Sequence, residues 1–239
     1  SSAASDVYKR QSTGWTTYSD VITVTNNNPI FSNYDLSASS VLRTNTIVIG
    51  INSTDIEDGE STHTIVTQYR ATSGGWKTSY LSTVWYDSSE SRWETNFTPT
   101  LAANLGTYDV RIMVNDTDGG STGWSTYNDI ITVTNNIPVI ESYAISADEV
   151  NRTDMLSMTI EVSDTENADN LLTIQVQYKS PTGNWSSTSL STAWYDSSVE
   201  KWKLNFTASD TAELGDYDVR VKVTDSDDNS SSWSTYNDN

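Results

Sequence analysis

The sequence repeats itself without a gap every 109 residues. Trp15, Trp124 and Trp233 are each separated by that interval, and the agreement begins at residue 12 and runs to the end. Solenoid repeats are about 20 to 50 residues long. A repeat of this length can bury a core of its own. The sequence is therefore predicted to be a tandem array of whole domains.

The repeated Asn-Asn-x-Pro segments mark the predicted domain boundaries. The first module is placed at 27–135 and the second at 136–239, where the second lacks its last strand. Residues 12–26 have the sequence of the last strand of an upstream repeat. Residues 1–11 match nothing at the same offset and are interpreted as a non-native or disordered tail.

These boundaries leave two interpretations open. One is a longer array that has been cut out with ragged ends. The other is donor-strand exchange, in which residues 21–25 of one subunit pair with the open edge of the next, because an unpaired edge strand recruits a strand. Such a head-to-tail contact does not close on itself, so it predicts a filament whose partner is another copy of the chain.

The fold class follows from a two-residue alternation of apolar and polar side chains. Tyr108, Val110, Ile112 and Val114 alternate with Asp109, Arg111, Met113 and Asn115, which places one side of a strand inward. Strand signals of this kind recur about every 8 to 15 residues, and no window clearly shows helical spacing. The chain is predicted to be all-β, with tandem Greek-key sandwiches of about seven strands each.

Composition limits the core and the partners. The chain has no cysteine, so no disulfide can form, and Trp76, Trp93, Trp185 and Trp202 are predicted to fill the cores instead. The formal net charge of −19 repels a phosphate backbone, so no nucleic-acid partner is expected. No run of about eighteen apolar residues occurs, so no membrane span is expected in this fragment.

Two acidic loops in each module form a candidate calcium site. Both loops are expected at the pole where the linker from the preceding domain arrives, and clustered oxygen ligands suit a hard cation that takes six to eight of them. The candidate ligands are Asp55, Glu57, Asp58, Asp116, Asp118, Asp164, Glu166, Asp169, Asp225 and Asp227. A solvated acidic surface is the alternative interpretation.

Three family resemblances rest on the sequence of each module's last third. Leu-Gly-x-Tyr-Asp-Val at 105–110 and 214–219 resembles the tyrosine corner of immunoglobulin-like sandwiches. The Tyr-bearing strand, the Asp-rich turn and the Asn-rich linker before proline resemble cadherin repeats, although Thr and Asn stand where a cadherin linker has carboxylates. PKD-type and other bacterial or archaeal surface repeats share the YDVRVKVTDSD text. The resemblance implies calcium between domains and a prokaryotic surface protein.

Two further kinds of binding or modification are predicted. Trp15, Trp124 and Trp233 lie in a polar bend and are candidates for stacking on sugar rings. Asn96 and Asn205 begin Asn-x-Thr triplets at matching outward strand positions and are candidate glycosylation sites in a secreted chain.

Catalytic motifs are not found in the sequence. His63 aligns with Leu172, so it is outside the repeated design and is predicted to be a surface residue. The chain is not expected to be an enzyme. It is predicted to be an extracellular or cell-surface structural or adhesive region, such as a stalk, a surface-layer component or a filament subunit, rigidified by calcium. The alternative is a carbohydrate-binding accessory region of a secreted enzyme, with glycans as partners.

Overall fold

The computed structural model describes residues 14–236, and these form two consecutive β-sandwiches. Apart from strands, the described regular elements are two short 3-10 turns, Glu60–Thr62 and Asp169–Leu171. The predicted all-β class is confirmed. The predicted tail at 1–11 lies outside the described residues, as do residues 12–13 and 237–239.

The first sandwich has eight strands in two four-stranded sheets. They are β1 (Ile30–Leu36), β2 (Ser40–Leu42), β3 (Ile47–Thr54), β4 (Thr64–Ala71), β5 (Trp85–Asp87), β6 (Arg92–Phe97), β7 (Gly106–Asn115) and β8 (Ser125–Thr134). One sheet has the order β1-β3-β6-β5 and the other β2-β8-β7-β4, and only the β2–β8 pair is parallel. This is the strand order of an immunoglobulin-like sandwich, with sheets ABED and CFG and β2 as an additional edge strand.

The second sandwich repeats this arrangement with seven described strands. They are β9 (Val139–Ile145), β10 (Met155–Ser163), β11 (Thr173–Lys179), β12 (Trp194–Asp196), β13 (Lys201–Thr207), β14 (Asp218–Thr224) and β15 (Ser234–Tyr236). The sheets have the orders β12-β13-β10-β9 and β11-β14-β15. Between residues 139 and 236, no strand corresponds to β2, and the pairing of β14 with its last neighbour is shorter than that of β7 with β8.

The alternation along β7 produces the buried face that the sequence predicts. Tyr108, Val110, Ile112 and Val114 are all at most 2% exposed. They face Ile49 and other branched side chains of the opposite sheet in one cluster. Full burial of an aliphatic side chain of this size contributes about 1.5–3 kcal/mol. A second, separate cluster fills the other sandwich around residues such as Ile160, Leu204 and Val221.

The prediction that four tryptophans fill the cores is wrong. Trp93 and Trp202 lie at the core margins, where each indole Nε1 donates to a backbone oxygen of a 3-10 turn at 2.8 Å. Trp76 and Trp185 lie outside the cores, stacked on arginines. An indole N–H requires a hydrogen-bond partner when buried, which favours these marginal positions. The central aromatics of the first core are Tyr69, Phe97 and Tyr108.

The tyrosine corner is present in both sandwiches. The hydroxyl of Tyr108 donates to the backbone oxygen of Asn104 at 2.8 Å, and that of Tyr217 donates to Glu213 O at 2.9 Å. Burial raises the pKa of both phenols. Gly106, which precedes Tyr108 in the corner, has φ +109°, a conformation that strongly favours glycine.

Replacement of the corner hydroxyl tests its contribution to stability. Tyr108→Phe leaves the ring in the core but removes the donor to Asn104 O, so the free energy of unfolding of the first sandwich should fall by about 1 kcal/mol. Urea unfolding followed by circular dichroism measures this change. Tyr18→Phe is the control, since Tyr18 is 74% exposed and lies outside both sandwiches. Equal stabilities for the two variants would contradict the assignment.

Candidate functional site

A buried aspartate closes the turn between the last two strands of each sandwich. Asp116 Oδ1 accepts hydrogen bonds from the backbone N–H of Asp118 at 2.9 Å and of Gly120 at 2.7 Å. Asp225 Oδ1 accepts the equivalent two bonds at 2.8 and 2.9 Å. The two aspartates are only 8% and 5% exposed. Their burial is tolerated because each carboxylate is hydrogen-bonded.

The second oxygen of each aspartate binds the preceding linker. Asn135 Nδ2 donates to Asp225 Oδ2 at 2.6 Å, and Asn26 Nδ2 donates to Asp116 Oδ2 at 2.7 Å. Asn135 is 7% exposed, so this contact is buried where the two sandwiches meet. The sequence expectation that the linker runs to the pole of the following module agrees with this geometry.

Arg43 connects the two sandwiches across the same contact. Its Nε donates to Ala103 O at 2.9 Å within the first sandwich. Its Nη1 donates to Asn135 Oδ1 at 3.1 Å and to Asp227 Oδ2 at 2.7 Å. The Arg43 side chain is 11% exposed and that of Asp227 31%. We call this group, Arg43, Asn135, Asp225 and Asp227, the joint.

The role of Arg43 is missed by the sequence reasoning. The sequence does contain a signal for this role. Arg43 and Arg152 are 109 residues apart, so an arginine recurs at the same position of the repeat in a chain with only 13 basic residues against 32 acidic ones. Arg152 donates through Nε and Nη2 to Ala212 O, the counterpart of Ala103 O. The repeat therefore positions an arginine at the far end of each sandwich.

The second acidic loop lies against the first, as the sequence predicts. Asp55 Oδ1 accepts the backbone N–H of Glu57 at 2.7 Å and of Asp58 at 3.1 Å. The Glu57 bond is the main cause of the lowered pKa of Asp55. Asp58 accepts hydrogen bonds from the backbone N–H and hydroxyl of Thr117, which joins the two loops at one pole.

The glutamates of this loop also hold the linker. Glu57 Oε1 accepts a hydrogen bond from Asn27 Nδ2, and Glu166 Oε1 accepts one from Asn136 Nδ2 at 2.8 Å. The observed hydrogen bond of Asp169 is not to the linker. Its backbone oxygen accepts a hydrogen bond from Trp202 Nε1. The loop carboxylates are thus engaged mainly by amide donors of the linker and of their own turns.

The predicted calcium ligands do not form a preassembled cluster. Within residues 14–236, no three His, Cys, Asp or Glu side chains are placed to share one metal ion. Asp55 Oδ2, Asp164 Oδ2 and Glu166 Oε2 are nevertheless buried oxygens with no hydrogen-bond donor among the described residues. Two of these three oxygens belong to the loop that lies beside the joint. Calcium binding stays a prediction.

Two of the three candidate sugar-binding tryptophans, Trp124 and Trp233, are stacked on arginines. The Arg111 guanidinium lies 4.5 Å from the Trp76 ring centroid and 4.0 Å from that of Trp124. Arg220 lies 4.4 Å from both Trp185 and Trp233. These cation–π contacts cover one face of each ring. Trp15, which lies before the first sandwich, is fully exposed.

The two candidate glycosylation sites lie at equivalent positions on β6 and β13. Asn96 and Asn205 are both half-buried. Asn205 Oδ1 accepts a hydrogen bond from the Ser157 hydroxyl at 3.0 Å. Glycosylation at these asparagines stays a prediction.

His63 is buried, so its predicted surface position is wrong. It is 2% exposed, and its Nδ1 lies 2.7 Å from the hydroxyl oxygen of Ser53, which is 4% exposed. Their counterparts Leu172 and Val162 are also buried. The side chain at this position therefore points inward in both modules. The alignment does not reveal this, because it pairs a polar histidine with an apolar leucine. His63 Nε2 has no partner among the described residues.

Comparisons with solved structures find distant similarity. The titin domains Z1Z2 in complex with telethonin match at 16% identity with a TM-score of 0.39, over 89% of this chain and 95% of that one. A marsupial T cell receptor matches at 8% identity with a TM-score of 0.37, over 89% of this chain and 71% of that one. The sequence has no match among protein-family models or curated proteins. None of the described helical turns is long and apolar enough to cross a membrane.

The Ser53–His63 pair provides a test of buried polar groups against their apolar counterparts. Ser53→Val with His63→Leu installs the pair that the second sandwich already accommodates, and removes the unpartnered Nε2. The free energy of unfolding of the first sandwich should rise by about 1 kcal/mol. His63→Leu alone should gain less, because it leaves the buried Ser53 hydroxyl without its partner.

Chemical denaturation of the single and double variants measures these differences. The reciprocal exchange, Val162→Ser with Leu172→His, should destabilise the second sandwich. A double variant less stable than the native chain would show that the hydrogen bond between Ser53 and His63 stabilises the sandwich more than the burial of two polar side chains destabilises it.

Proposed function

We propose that this chain is a structural repeat region in which successive immunoglobulin-like sandwiches are held at a fixed angle. The joint carries the proposal, because Arg43 donates both to its own sandwich and to Asp227 of the next. On this proposal, the chain belongs to an extracellular or cell-surface protein of a prokaryote, such as a stalk, a surface layer, an adhesin or a filament. The role of the chain is repeated display at a set spacing rather than catalysis.

The joint supports a fixed angle because its contacts come from both sandwiches and the linker. Relative motion of neighbouring domains is the default unless their interface is extensive. Here, a largely buried guanidinium is held by three acceptors, two of which lie outside its own sandwich. Charge-assisted bonds of this kind are directional, so they favour one arrangement of the two sandwiches.

The acidic surface suits an extracellular environment. A net charge of −19 keeps the repeats soluble and resists lateral association. The same charge attracts cations, whose binding would offset repulsion between the acidic poles.

Calcium binding at the acidic loop beside the joint is a second element of the proposal. The observation that favours it is the pair of buried, unpartnered oxygens on Asp164 and Glu166. With fewer than three convergent carboxylates, the remaining ligands would come from amide, backbone or water oxygens. Extracellular calcium sites of modest charge bind with Kd values of about 10⁻⁴–10⁻³ M.

The carbohydrate alternative has weaker support. The exposed ring of Trp15 favours it, whereas the guanidinium contacts of Trp124 and Trp233 occupy one face of each ring that a sugar would need. Glycan binding and the attachment of these modules to a secreted enzyme therefore stay as the alternative proposal.

Removal of the bridging arginine should loosen the joint. In Arg43→Ala, Asp227 and Asn135 lose their donor, and the docking free energy of the sandwiches should fall by about 1 kcal/mol, because Asp227 is partly exposed. Spin labels at Ser88→Cys and Ser197→Cys report the distance between sandwiches, since the chain has no cysteine of its own. The distance distribution should broaden.

Arg152→Ala is the matched control for this experiment. It removes the same intramodular bond, to Ala212 O, but no described contact to the other sandwich. Asp227→Asn should reproduce the broadening, whereas Asp118→Asn should not. Identical narrow distributions for the native chain and Arg43→Ala would contradict the proposed role of the joint.

Calcium should stabilise the chain if the loop that carries Asp164 and Glu166 binds it. At a concentration ten times Kd, a ligand that binds only the folded form adds about 1.4 kcal/mol of stability. Thermal melting in millimolar calcium, against chelator and against magnesium at equal ionic strength, measures the shift. Asp164→Asn with Glu166→Gln should abolish it. The absence of a calcium-specific shift in the native chain would exclude this element of the proposal.

A further inference from the structure

A cleft lies along the outer edge of β11 in the second sandwich. Its volume is about 400 Å³, within the range of about 300–1,000 Å³ that is usual for small-molecule sites. Its walls come mainly from β11, from the connection at 187–193 and from Trp233. β11 is at the end of its sheet away from β15, and every residue from 174 to 233 is described. In the first sandwich, β4 is likewise the outermost strand of its sheet, so a complete last strand leaves this edge open.

The lining of the cleft is uncharged in a strongly acidic chain. None of the described residues that form it is an Asp or a Glu, although the chain has 32 acidic residues. Gln175 and Gln177 contribute side-chain amides, and Ser187, Ser191 and Thr192 carry hydroxyl groups. Amides and hydroxyls both donate and accept hydrogen bonds, as the hydroxyl groups of a sugar do. The lining therefore matches a hydroxyl-rich ligand.

Two cations on β14 lie beside the cleft. Arg220 and Lys222 are opposite Gln177 and Gln175 in the β11–β14 register, and Cβ atoms directly opposite each other are about 5 Å apart. Arg220 donates through Nε and Nη2 to Gln177 Oε1. Among residues 14–236, Arg220 Nη1 and Lys222 Nζ have no acceptor, and neither side chain forms an ion pair. The other lysines of this sandwich each form an ion pair, and they are Lys179, Lys201 and Lys203.

Trp233 provides an aromatic surface at the same place. The Arg220 guanidinium lies 4.4 Å from the ring centroids of both Trp185 and Trp233, so it is held between two indoles. Arg220 covers one face of Trp233, and this half-buried residue also lines the cleft. A sugar ring stacks on an aromatic ring through its apolar face. The cleft thus combines an indole, amides, hydroxyls and unpaired positive charge.

The first sandwich has the same arginine clamp but a different surface beside it. Arg111 is flanked by two indoles, as Arg220 is in the second sandwich. The counterparts of Lys222 and Gln175, however, are Met113 and Val66. The clamp is therefore common to the repeat, whereas the second cation and the second amide are particular to the second sandwich.

We propose that this cleft binds an acidic saccharide, in which a sugar ring carries a carboxylate or a sulfate. The ring packs on Trp233, its hydroxyl groups bond to the amides and hydroxyls of the lining, and its anionic group binds Lys222 and Arg220 Nη1. Charge-assisted hydrogen bonds are stronger than neutral ones, so the site prefers acidic to neutral sugars. The net charge of −19 opposes the approach of an anion, so binding depends on this local pair of cations. The site goes beyond the structural role, because it uses no residue of the joint.

Isothermal titration calorimetry of the 239-residue chain with matched probes tests the ligand class. The probes are pentagalacturonic acid, its methyl ester, which keeps the rings without the charge, and polyglutamate, which has the charge without the rings. The acid should bind at least about tenfold more tightly than either of the others, because it alone offers both contacts. A carrageenan oligosaccharide, whose anionic groups are sulfates, distinguishes a sulfate from a carboxylate ligand.

Variants taken from the repeat itself locate the site. Lys222→Met and Gln175→Val install the residues that the first sandwich has at these positions, so the second sandwich should stay folded. Lys222→Met should weaken binding of the acidic probe about fivefold, because it removes one partly exposed charge. Trp233→Ala should weaken it about tenfold. Trp124→Ala, at the equivalent position of the first sandwich, is the matched control and should bind as the native chain does.

Three outcomes overturn the saccharide proposal. They are no binding of either acidic saccharide, binding of polyglutamate as tight as that of the acid, and equal losses in Trp233→Ala and Trp124→Ala. The spin-label distances keep this result separate from the proposed function. A chain that binds no saccharide but has a narrow distribution retains the fixed joint, whereas a broad distribution in a chain that binds the acid removes the joint and retains the cleft.

Discussion

The relation between the two sandwiches depends on one buried carboxylate. Asp225 uses Oδ1 to close the turn that carries Asp227, and Oδ2 to hold Asn135. Both of these residues are acceptors for Arg43, so a single side chain positions the two groups that the arginine needs. A buried carboxylate is costly unless its oxygens are hydrogen-bonded, and here the required donors are supplied by the turn and the linker.

Much of the fold could be predicted from local sequence patterns. The alternation from Tyr108 to Val114 gives the buried face of β7, because the pleat of a strand alternates its side chains whatever the tertiary context. The tyrosine corner is a short-range contact, over four residues, so its sequence pattern is sufficient. The approach of the linker to the acidic pole also follows from the order of strands in a sandwich.

The remaining contacts depend on residues that are distant in the sequence. Arg43 contacts Asp227 across a separation of 184 residues. The sequence alone does not indicate which residues of two separate sandwiches face each other. The sequence predicts Trp76 in the core, but Arg111 of β7 makes a cation–π contact with its ring outside the core. The alignment of His63 with a leucine predicts a surface position, whereas Ser53 supplies the hydrogen-bond partner that allows the imidazole to be buried.

The repetition of one joint has a geometric consequence for an array. The Asn26–Asp116 and Asn135–Asp225 bonds are equivalent, so each linker is seated on its sandwich in the same way. If every step applies the same rotation and translation, the modules follow a superhelix, whose curvature and handedness depend on that step alone. A change of a few degrees at one arginine accumulates along the rod, so its overall shape is determined by residues that occupy a very small part of each module.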